Sequence, residues 1–582
     1  MLHRGLTVIA FLARLLSNVM RLLTAPLWYL GRAATRPKSR WVHVRLRPRL
    51  VEIERPVPFF VDWIPGLAEA RPTSLTLLRE LADFIVEDDR IEGVVFDVPP
   101  LVAGWATCQS LRDIVLRLRE SGRQVVVYLP QGGGNRELYV ASAADRILAS
   151  PHAQLSPLGL AASVTYFKGL LDHAGVEVEV HRRAEYKTAV EPAMRDSMSD
   201  PQREQTEALL DTIDGALRDA LAARSGADRA KVDAFFEKAL ISAEHAREEG
   251  LIDGVCYEDE LPLCLTPTRE LIPVVRAPRY YAWRKERLLK KLTPDRYIAV
   301  IPVHGAITSG SPATRAGIKY ASTITTLRAA RKNPMIAGVV LHVDSPGGSA
   351  LASDLIHREV ERLREKKPVV ACFGDVAASG GYYVAAGADA VVAQPLTITG
   401  SIGVVAARLV TEPLMARFGV KVDTIRKAPH ADMLRRPGKL GAVEDAILDR
   451  EVDAFYRAFV GVVARGRGRK LDEIEPLARG RVWSGKDAAA RGLVDRLGGL
   501  DVAIDEVRER LRGKLSDRAR KDLSPRLVRA RRLELPPAEP RKLEDAAAHV
   551  LGAIDPHLGE IWRLAQGHER VLCYAVDLPS IE

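Results

Sequence analysis

Apolar and polar positions along this chain fall into two alternating patterns. Short β-branched runs at residues 93–98, 124–129, 338–343 and 368–373 alternate with helical stretches such as 110–120 and 350–365. Runs of that length read as buried strands. Their alternation with amphipathic helices predicts βαβ crossovers, a largely parallel sheet and an α/β fold class.

The patterns also repeat. Ile91-Glu92-Gly93-Val94-Val95-Phe96-Asp97-Val98 matches Ile336-Ala337-Gly338-Val339-Val340-Leu341-His342-Val343. Leu138-Tyr139-Val140-Ala141-Ser142-Ala143-Ala144-Asp145 matches Tyr382-Tyr383-Val384-Ala385-Ala386-Gly387-Ala388-Asp389, and Ser242 with Gly250-Leu251-Ile252-Asp253 matches Ser484 with Gly492-Leu493-Val494-Asp495. Collinear matches in the same order mark a tandem duplication. We place the first copy at residues 45–265 and the second at 295–505. A partly helical linker, 266–294, carries the basic cluster Arg284, Lys285, Arg287, Lys290 and Lys291. The extension 506–582 is dense in charge up to Lys542, is broken at Pro536-Pro537 and Pro540, and ends in an apolar, tryptophan-containing tail expected to be helical and to dock elsewhere.

The N-terminus has another pattern. Residues 6–30 are rich in Leu, Val, Ile, Phe and Trp and long enough to span a bilayer. Arg14, Asn18 and Arg21, however, share one helical face. An arginine at the centre of a span costs on the order of 2.5–3.5 kcal/mol on insertion scales. Residues 1–44 are therefore expected to form a membrane anchor, interfacial more than spanning, with a helix packed on the protein's own surface as the alternative; Arg32, Arg36, Lys38 and Arg40 follow at once. No small-residue cleavage site marks a removed signal peptide.

Composition narrows the classes. With 582 residues, 47% hydrophobic and 27% charged, the chain is ordinary globular material. Wholesale disorder, collagen and a polytopic membrane protein are excluded. A net charge of +10 is a mild bias that fits anionic lipid as well as nucleic acid, and no nucleic-acid motif accompanies it. The five cysteines lack CxxC spacing, so neither a disulfide framework nor a zinc site is expected, and no cofactor is implied.

The copies differ where chemistry would sit. The second reads Asp375-Val376-Ala377-Ala378-Ser379-Gly380-Gly381-Tyr382-Tyr383, a strand–turn–helix corner that presents a hydroxyl beside free backbone N–H groups. The first reads Gly134-Asn135-Arg136-Glu137-Leu138-Tyr139, with Asn135 in the serine's place and a charged pair for the two glycines. A serine needs a base, and the 13 histidines offer no triad order; His342 and His430 stand in no recognisable pairing with an acid. The first copy holds Glu185-Tyr186-Lys187-Thr188-Ala189-Val190-Glu191-Pro192, while the second has Pro429-His430 near the place aligned with Lys187. Each copy thus carries half of a Ser/Lys dyad. A lysine serves as general base once its pKa falls from about 10.4 toward 7–8.

These residues resemble the signal peptide peptidase A family of bacterial membrane-associated serine proteases, in its long duplicated type. The resemblance spans residues 45–505. It rests on the lysine motif above, on Asp344-Ser345-Pro346-Gly347-Gly348-Ser349, on Ala378-Ser379-Gly380-Gly381-Tyr382-Tyr383 and on Thr399-Gly400-Ser401-Ile402-Gly403-Val404. It implies a Clp protease/crotonase-like fold, Ser379 as nucleophile, Lys187 as general base and Ser401 as the hydroxyl that orients the lysine. The oxyanion hole would be the N–H of Gly380 with that of Gly347 or Gly348. Ser401 reads equally well as a satisfied turn hydroxyl, and the glycines as a tight βα turn. The resemblance further implies a homotetrameric bowl acting on apolar peptides such as cleaved signal peptides. The location implied is the bacterial inner membrane, with the catalytic part on its periplasmic or extracytoplasmic side.

Three departures stand out: the arginine-broken N-terminal helix, the lack of a Pro-Gly-Gly turn in Asp97-Val98-Pro99-Pro100-Leu101, and a long extension after Asp501. Two rival readings keep the fold: a crotonase-like acyl-CoA enzyme and a catalytically inactive membrane scaffold.

Overall fold

The structure is a computed structural model that describes residues 2–54, 71–225, 229–289, 295–309, 318–528, 572–574 and 580–581. Lys290, Lys291, Pro536, Pro537, Pro540 and Trp562, and with them the dense charge run past 528 and most of the apolar tail, lie outside the described residues. The chain forms two compact units, one of Met1–Gly159 with Ile213–Arg296 and one of Leu160–Thr212 with Tyr297–Glu582. Leu160–Thr212, in the first copy by sequence, therefore belongs to the second unit. That segment carries Lys187.

The first unit is built on a parallel sheet in the order Gly254–Val255, Arg146–Ala149, Gln124–Leu129, Gly93–Asp97, Trp41–Arg45 and Val274–Arg276. Its central strands are the predicted Val-rich runs, buried on both faces as parallel strands must be. Gly93 is required where the Trp41 ring crosses it, because a Cβ there would sit 2.5 Å from the indole. The predicted helix at 110–120 runs Trp105–Glu120. The segment expected as a linker supplies the edge strand Val274–Arg276 and the helix Ala277–Lys285.

The N-terminal helices Leu2–Leu23 and Ala25–Ala34 also belong to this unit. Their polar stripe faces the protein. Asn18 is buried, Arg21 Nη1 donates to the carbonyls of Leu288 (3.2 Å) and Arg287 (3.4 Å), and Arg32 stacks over Trp283. The apolar side chains Leu16, Leu23, Leu27 and Leu30 point to solvent, Leu23 at 74% exposure. Among the described residues no helix is long and apolar enough to cross a membrane.

Among the described residues the second unit carries two main sheets, beside the two-stranded pair of Ala162–Ser163 with Ser580–Ile581. The larger runs Val482–Ser484, Ile398–Gly400, Val369–Ala378, Ile336–Ser345, Tyr297–His304 and Ser524–Leu527, with Ala390–Ala393 and Arg496–Leu497 added beside Val369–Ala378. All its pairs are parallel except Ile398–Gly400 with Val482–Ser484. Ile336–Ser345 and Val369–Ala378 are longer than the apolar runs that predicted them and end at the candidate site. The helix predicted at 350–365 is Ala350–Arg364, capped by the Ser349 hydroxyl accepting from the Ala352 N–H. The smaller sheet runs Glu177–Arg182, Val405–Val410, Leu572–Tyr574, Gly347–Ser349, Ile307–Thr308 and Ile318–Lys319.

Candidate active site

Ser379 follows strand Val369–Ala378 and caps the short helix Gly380–Ala385 at φ 53°, ψ −118°. A non-glycine residue at positive φ costs on the order of 1–3 kcal/mol and persists only where the surroundings impose it. Two contacts do so. The Ser379 N–H donates to the Gly400 carbonyl at 2.8 Å. Behind it Gly381 packs so closely on Ser345 that a Cβ would lie 2.8 Å from the Ser345 carbonyl oxygen.

Lys187 is buried, 1% exposed. Its Nζ lies 2.8 Å from Ser379 Oγ, 3.0 Å from Ser401 Oγ and 3.1 Å from the Ser401 carbonyl. The sequence expectation for Ser401 had left a catalytic and a plain turn role open; in the structure its hydroxyl touches the lysine amine. Ser401 is itself held at φ 48°, its N–H donating to Arg481 at 2.7 Å.

The socket for the lysine is the segment 479–482. Gly480, at φ +79°, lies against the Lys187 backbone so that a Cβ would come within 2.6 Å of it. The Tyr186 N–H donates to the Arg479 carbonyl at 3.2 Å, and Arg182 reaches the Lys187 carbonyl at 3.2 Å while pairing with the buried Glu191 at 2.9 Å. Gln205, buried on helix Asp200–Ser225, donates to Thr188 Oγ1 at 2.9 Å and accepts the Val482 N–H at 3.2 Å. Its amide ties the residue after the lysine to the strand after the socket. Neither the socket nor Gln205 was found from sequence. A lone Gln and an Arg-Gly-Arg run carry no signal without the fold.

The glycine turn of the second copy sits beside the serine. Gly347 and Gly348 take φ 107° and 148°. A Cβ on Gly348 would lie 2.1 Å from the Ile307 carbonyl, so both glycines are conformationally required. Ser345 Oγ donates to Gly305 at 2.7 Å and accepts the Gly347 N–H at 3.2 Å. Just before it, burial and then the Asp375 carboxylate push the Asp344 carboxyl up to about 7, against the backbone N–H groups of Val376 and Asp375. The two histidines bond elsewhere: His342 Nδ1 to His304 Nε2 at 2.7 Å, and His430 to Glu444 at 3.3 Å, an acid partner that sequence spacing had not revealed.

In the first copy the corresponding place is filled from within. Asn135 Nδ2 donates to the Gly159 carbonyl at 2.6 Å. The buried Glu137 carboxylate accepts the N–H of Leu101 at 2.6 Å and of Gly134 at 2.7 Å. Leu101 lies in the segment that stands in for the missing Pro-Gly-Gly turn.

Comparison with known proteins agrees with the duplication. The chain is 35% identical over 429 residues to "Serine protease SPPA, chloroplastic" of Arabidopsis thaliana, covering 72% of this chain and 63% of that one. It is 32% identical over 436 residues to "Protease 4" of Salmonella typhi, covering 73% and 70%. With "Protease 4" of Haemophilus influenzae it shares 28% over 454 residues, covering 75% and 73%. The model of peptidase family S49 matches twice, at residues 117–267 and 361–513, once in each copy, and the chain belongs to that family.

Proposed function

We propose that this chain is a serine-type endopeptidase with a Clp protease/crotonase-like fold, in which Ser379 attacks the peptide carbonyl and Lys187 is the general base. The carrying observation is the buried contact of Lys187 Nζ with Ser379 Oγ at 2.8 Å, with Ser401 Oγ 3.0 Å from the same nitrogen. A general base must be neutral when it acts, and burial works against a charged amine. In the reaction the neutral amine takes the Ser379 proton as Oγ bonds to the carbonyl carbon. The lysine then returns that proton to the leaving amine, and water hydrolyses the acyl-enzyme by the same route. Backbone N–H groups of Gly380 and of the Gly347-Gly348 turn would hold the oxyanion, each such donor being worth about 2.7–4 kcal/mol in other enzymes. Ser401 would keep the amine aimed at Ser379.

The substrates we propose are apolar peptides such as cleaved signal peptides, met at a membrane. The outward leucines of the N-terminal helices, above an inward polar stripe, support an anchor lying in the interface of the bacterial inner membrane. An extracytoplasmic catalytic part and a homotetrameric ring complete the reading and rest on the family resemblance; no nucleic-acid partner is proposed, because the net charge of +10 comes with no binding motif.

The test is peptidase activity of the detergent-purified chain on an apolar signal-peptide mimic, beside Ser379→Ala and Lys187→Ala. Turnover by wild type and near-complete loss in both folded variants are expected. Equal cleavage by all three would overturn the assignment. An inert wild type would favour the scaffold, and saturable binding of an acyl-CoA by an inert chain would favour the crotonase-like enzyme.

A further inference from the structure

The two copies of the duplicated sequence build the same strand pair and differ in what adjoins it. In the second copy Val482–Ser484 runs antiparallel to Ile398–Gly400, with Ser484 opposite Ile398 and Trp483 opposite Thr399. In the first copy Ile241–Ser242 runs antiparallel to Gln154–Leu155, with Ser242 opposite Gln154 and Ile241 opposite Leu155. The shared register matches the residues one by one. Pro157 stands for Ser401, Ala239 for Arg481 and Ile241 for Trp483.

Each of these exchanges removes a contact that the second copy has. The Ser401 N–H donates to the Arg481 carbonyl at 2.7 Å, and a proline in that place has no N–H to give. The Arg481 guanidinium lies 4.8 Å from the centre of the Tyr186 ring and 4.4 Å from that of Trp483, while Arg491 lies over Trp483 at 4.1 Å. Arg481 Nη1 donates to Tyr186 Oη at 3.2 Å and stands 2.8 Å from Glu204 Oε1. Tyr186 Oη in turn donates to Glu204 Oε2 at 2.6 Å. An alanine with an isoleucine supplies neither the cation nor the second ring.

Arg481 therefore reaches both groups that flank the lysine amine. Its main chain holds Ser401, whose Oγ is 3.0 Å from Lys187 Nζ, and its side chain holds Tyr186, the residue before the lysine. A planar guanidinium stacks on rings while its fork of N–H groups bonds acceptors at its edge; an ammonium does not combine the two.

We infer that Arg481 is a positioning residue for the dyad, a latch that registers the lysine segment against the Ser401 turn and that the second copy carries where the first has Ala239. This inference rests on the peptidase reading, which does not itself require it.

The test compares full-length wild type, Arg481→Ala and Arg481→Lys. On an apolar peptide substrate kcat is expected to fall about 10- to 100-fold in both variants at little change in KM, the loss that small displacements of a catalytic group bring. Free guanidinium, added at concentrations that leave wild type unaffected, should restore kcat of Arg481→Ala saturably, and ethylammonium should not. Variants that melt earlier but keep wild-type kcat below the melting range would make Arg481 purely structural and overturn the inference. Full activity of Arg481→Lys would also overturn it, by leaving charge alone as the cause. Independently of turnover, hydrogen exchange should be faster in both variants at the amides of Tyr186 and Ser401, which bond to the carbonyls of Arg479 and Arg481. Wild-type exchange at both amides in Arg481→Ala overturns the inference. If no form cleaves any peptide while the exchange pattern holds, the peptidase reading fails and the latch stands.

Discussion

Lys187 Nζ stands 2.8 Å from Ser379 Oγ although 192 residues separate them in the chain. Each comes from a different copy of the duplicated sequence, and each copy lacks the other's partner. As the proposed base and nucleophile, the two residues have a kinetic signature. Lys187→Arg keeps a positive charge and much of the length, but a guanidinium is never neutral near pH 7 and cannot accept the serine's proton. The variant is expected to lose at least about 10³-fold in kcat, as Lys187→Met should. The double variant Ser379→Ala with Lys187→Met should be no slower than Ser379→Ala alone, because groups that act as one unit are not additive. Steady-state kinetics of the four proteins checks this. A further loss of tenfold or more in the double variant would mean that the residues act separately.

Gln205 is the group whose loss should move Lys187 without touching the chemistry. Its amide binds Thr188 Oγ1 and the Val482 N–H, one on each side of the lysine socket. In Gln205→Leu both are left without that partner at a cost of about 1–3 kcal/mol in stability. Because small displacements of a catalytic group cost up to about 10²-fold in rate, kcat should fall 10- to 100-fold while KM stays near wild type. A variant that melts earlier but keeps its kcat below the melting range would reduce Gln205 to a purely structural residue.

Glu137 makes the opposite prediction, stability without activity. In Glu137→Ala the N–H groups of Leu101 and Gly134 lose their carboxylate, at about 1–3 kcal/mol for each donor left unpaired. Thermal unfolding should show a lowered transition. Peptidase kinetics below that transition should be unchanged, since on the proposed mechanism the nucleophile comes from the second copy. Adding Asn135→Ser to a Ser379→Ala background should restore no turnover, and measurable turnover there would show a second working site.

These residues also mark how far the sequence could be read. Gln124–Leu129 was delimited to the residue, because a continuous Val-rich run on a doubly buried strand leaves no ambiguity of period. Ile336–Ser345 and Val369–Ala378 were cut short in the reading, since Asp344, Ser345, Gly374 and Asp375 interrupt the apolar run although the strand pairing continues past them. The meeting of Ser379 and Lys187 was legible because one copy could be compared with the other. The socket at Gly480, the amide bridge of Gln205 and the carboxylate of Glu137 were not. Each depends on segments far apart in sequence, and their residue types are ordinary on any surface. The polar stripe Arg14, Asn18 and Arg21 was legible as a stripe, while its direction, inward with the leucines outward, was set by partners at Arg287 and Leu288.

Asp344 gives the fold a dependence on pH that can be read by difference. Its carboxyl accepts the Val376 N–H at 3.1 Å, and burial with the Asp375 carboxylate beside it pushes it up to about 7. The neutral form is thus favoured in the folded chain, while in the unfolded chain the group ionises near the ordinary value for aspartate. Its contribution is fully present below that ordinary value and is lost as pH rises through about 7, because over this range the folded state binds the extra proton. Other carboxylates act with the opposite sign: the Arg436 guanidinium holds Asp432 and Glu444 down at about 2. The raw melting curve therefore mixes the two. Asp344→Asn keeps an oxygen for the Val376 N–H and removes the titration. The melting temperature of the variant minus that of wild type should rise from about pH 4 to about pH 7 and level off above it. A difference that stays flat across that range, or falls, would show that Asp344 is ionised in the folded protein throughout.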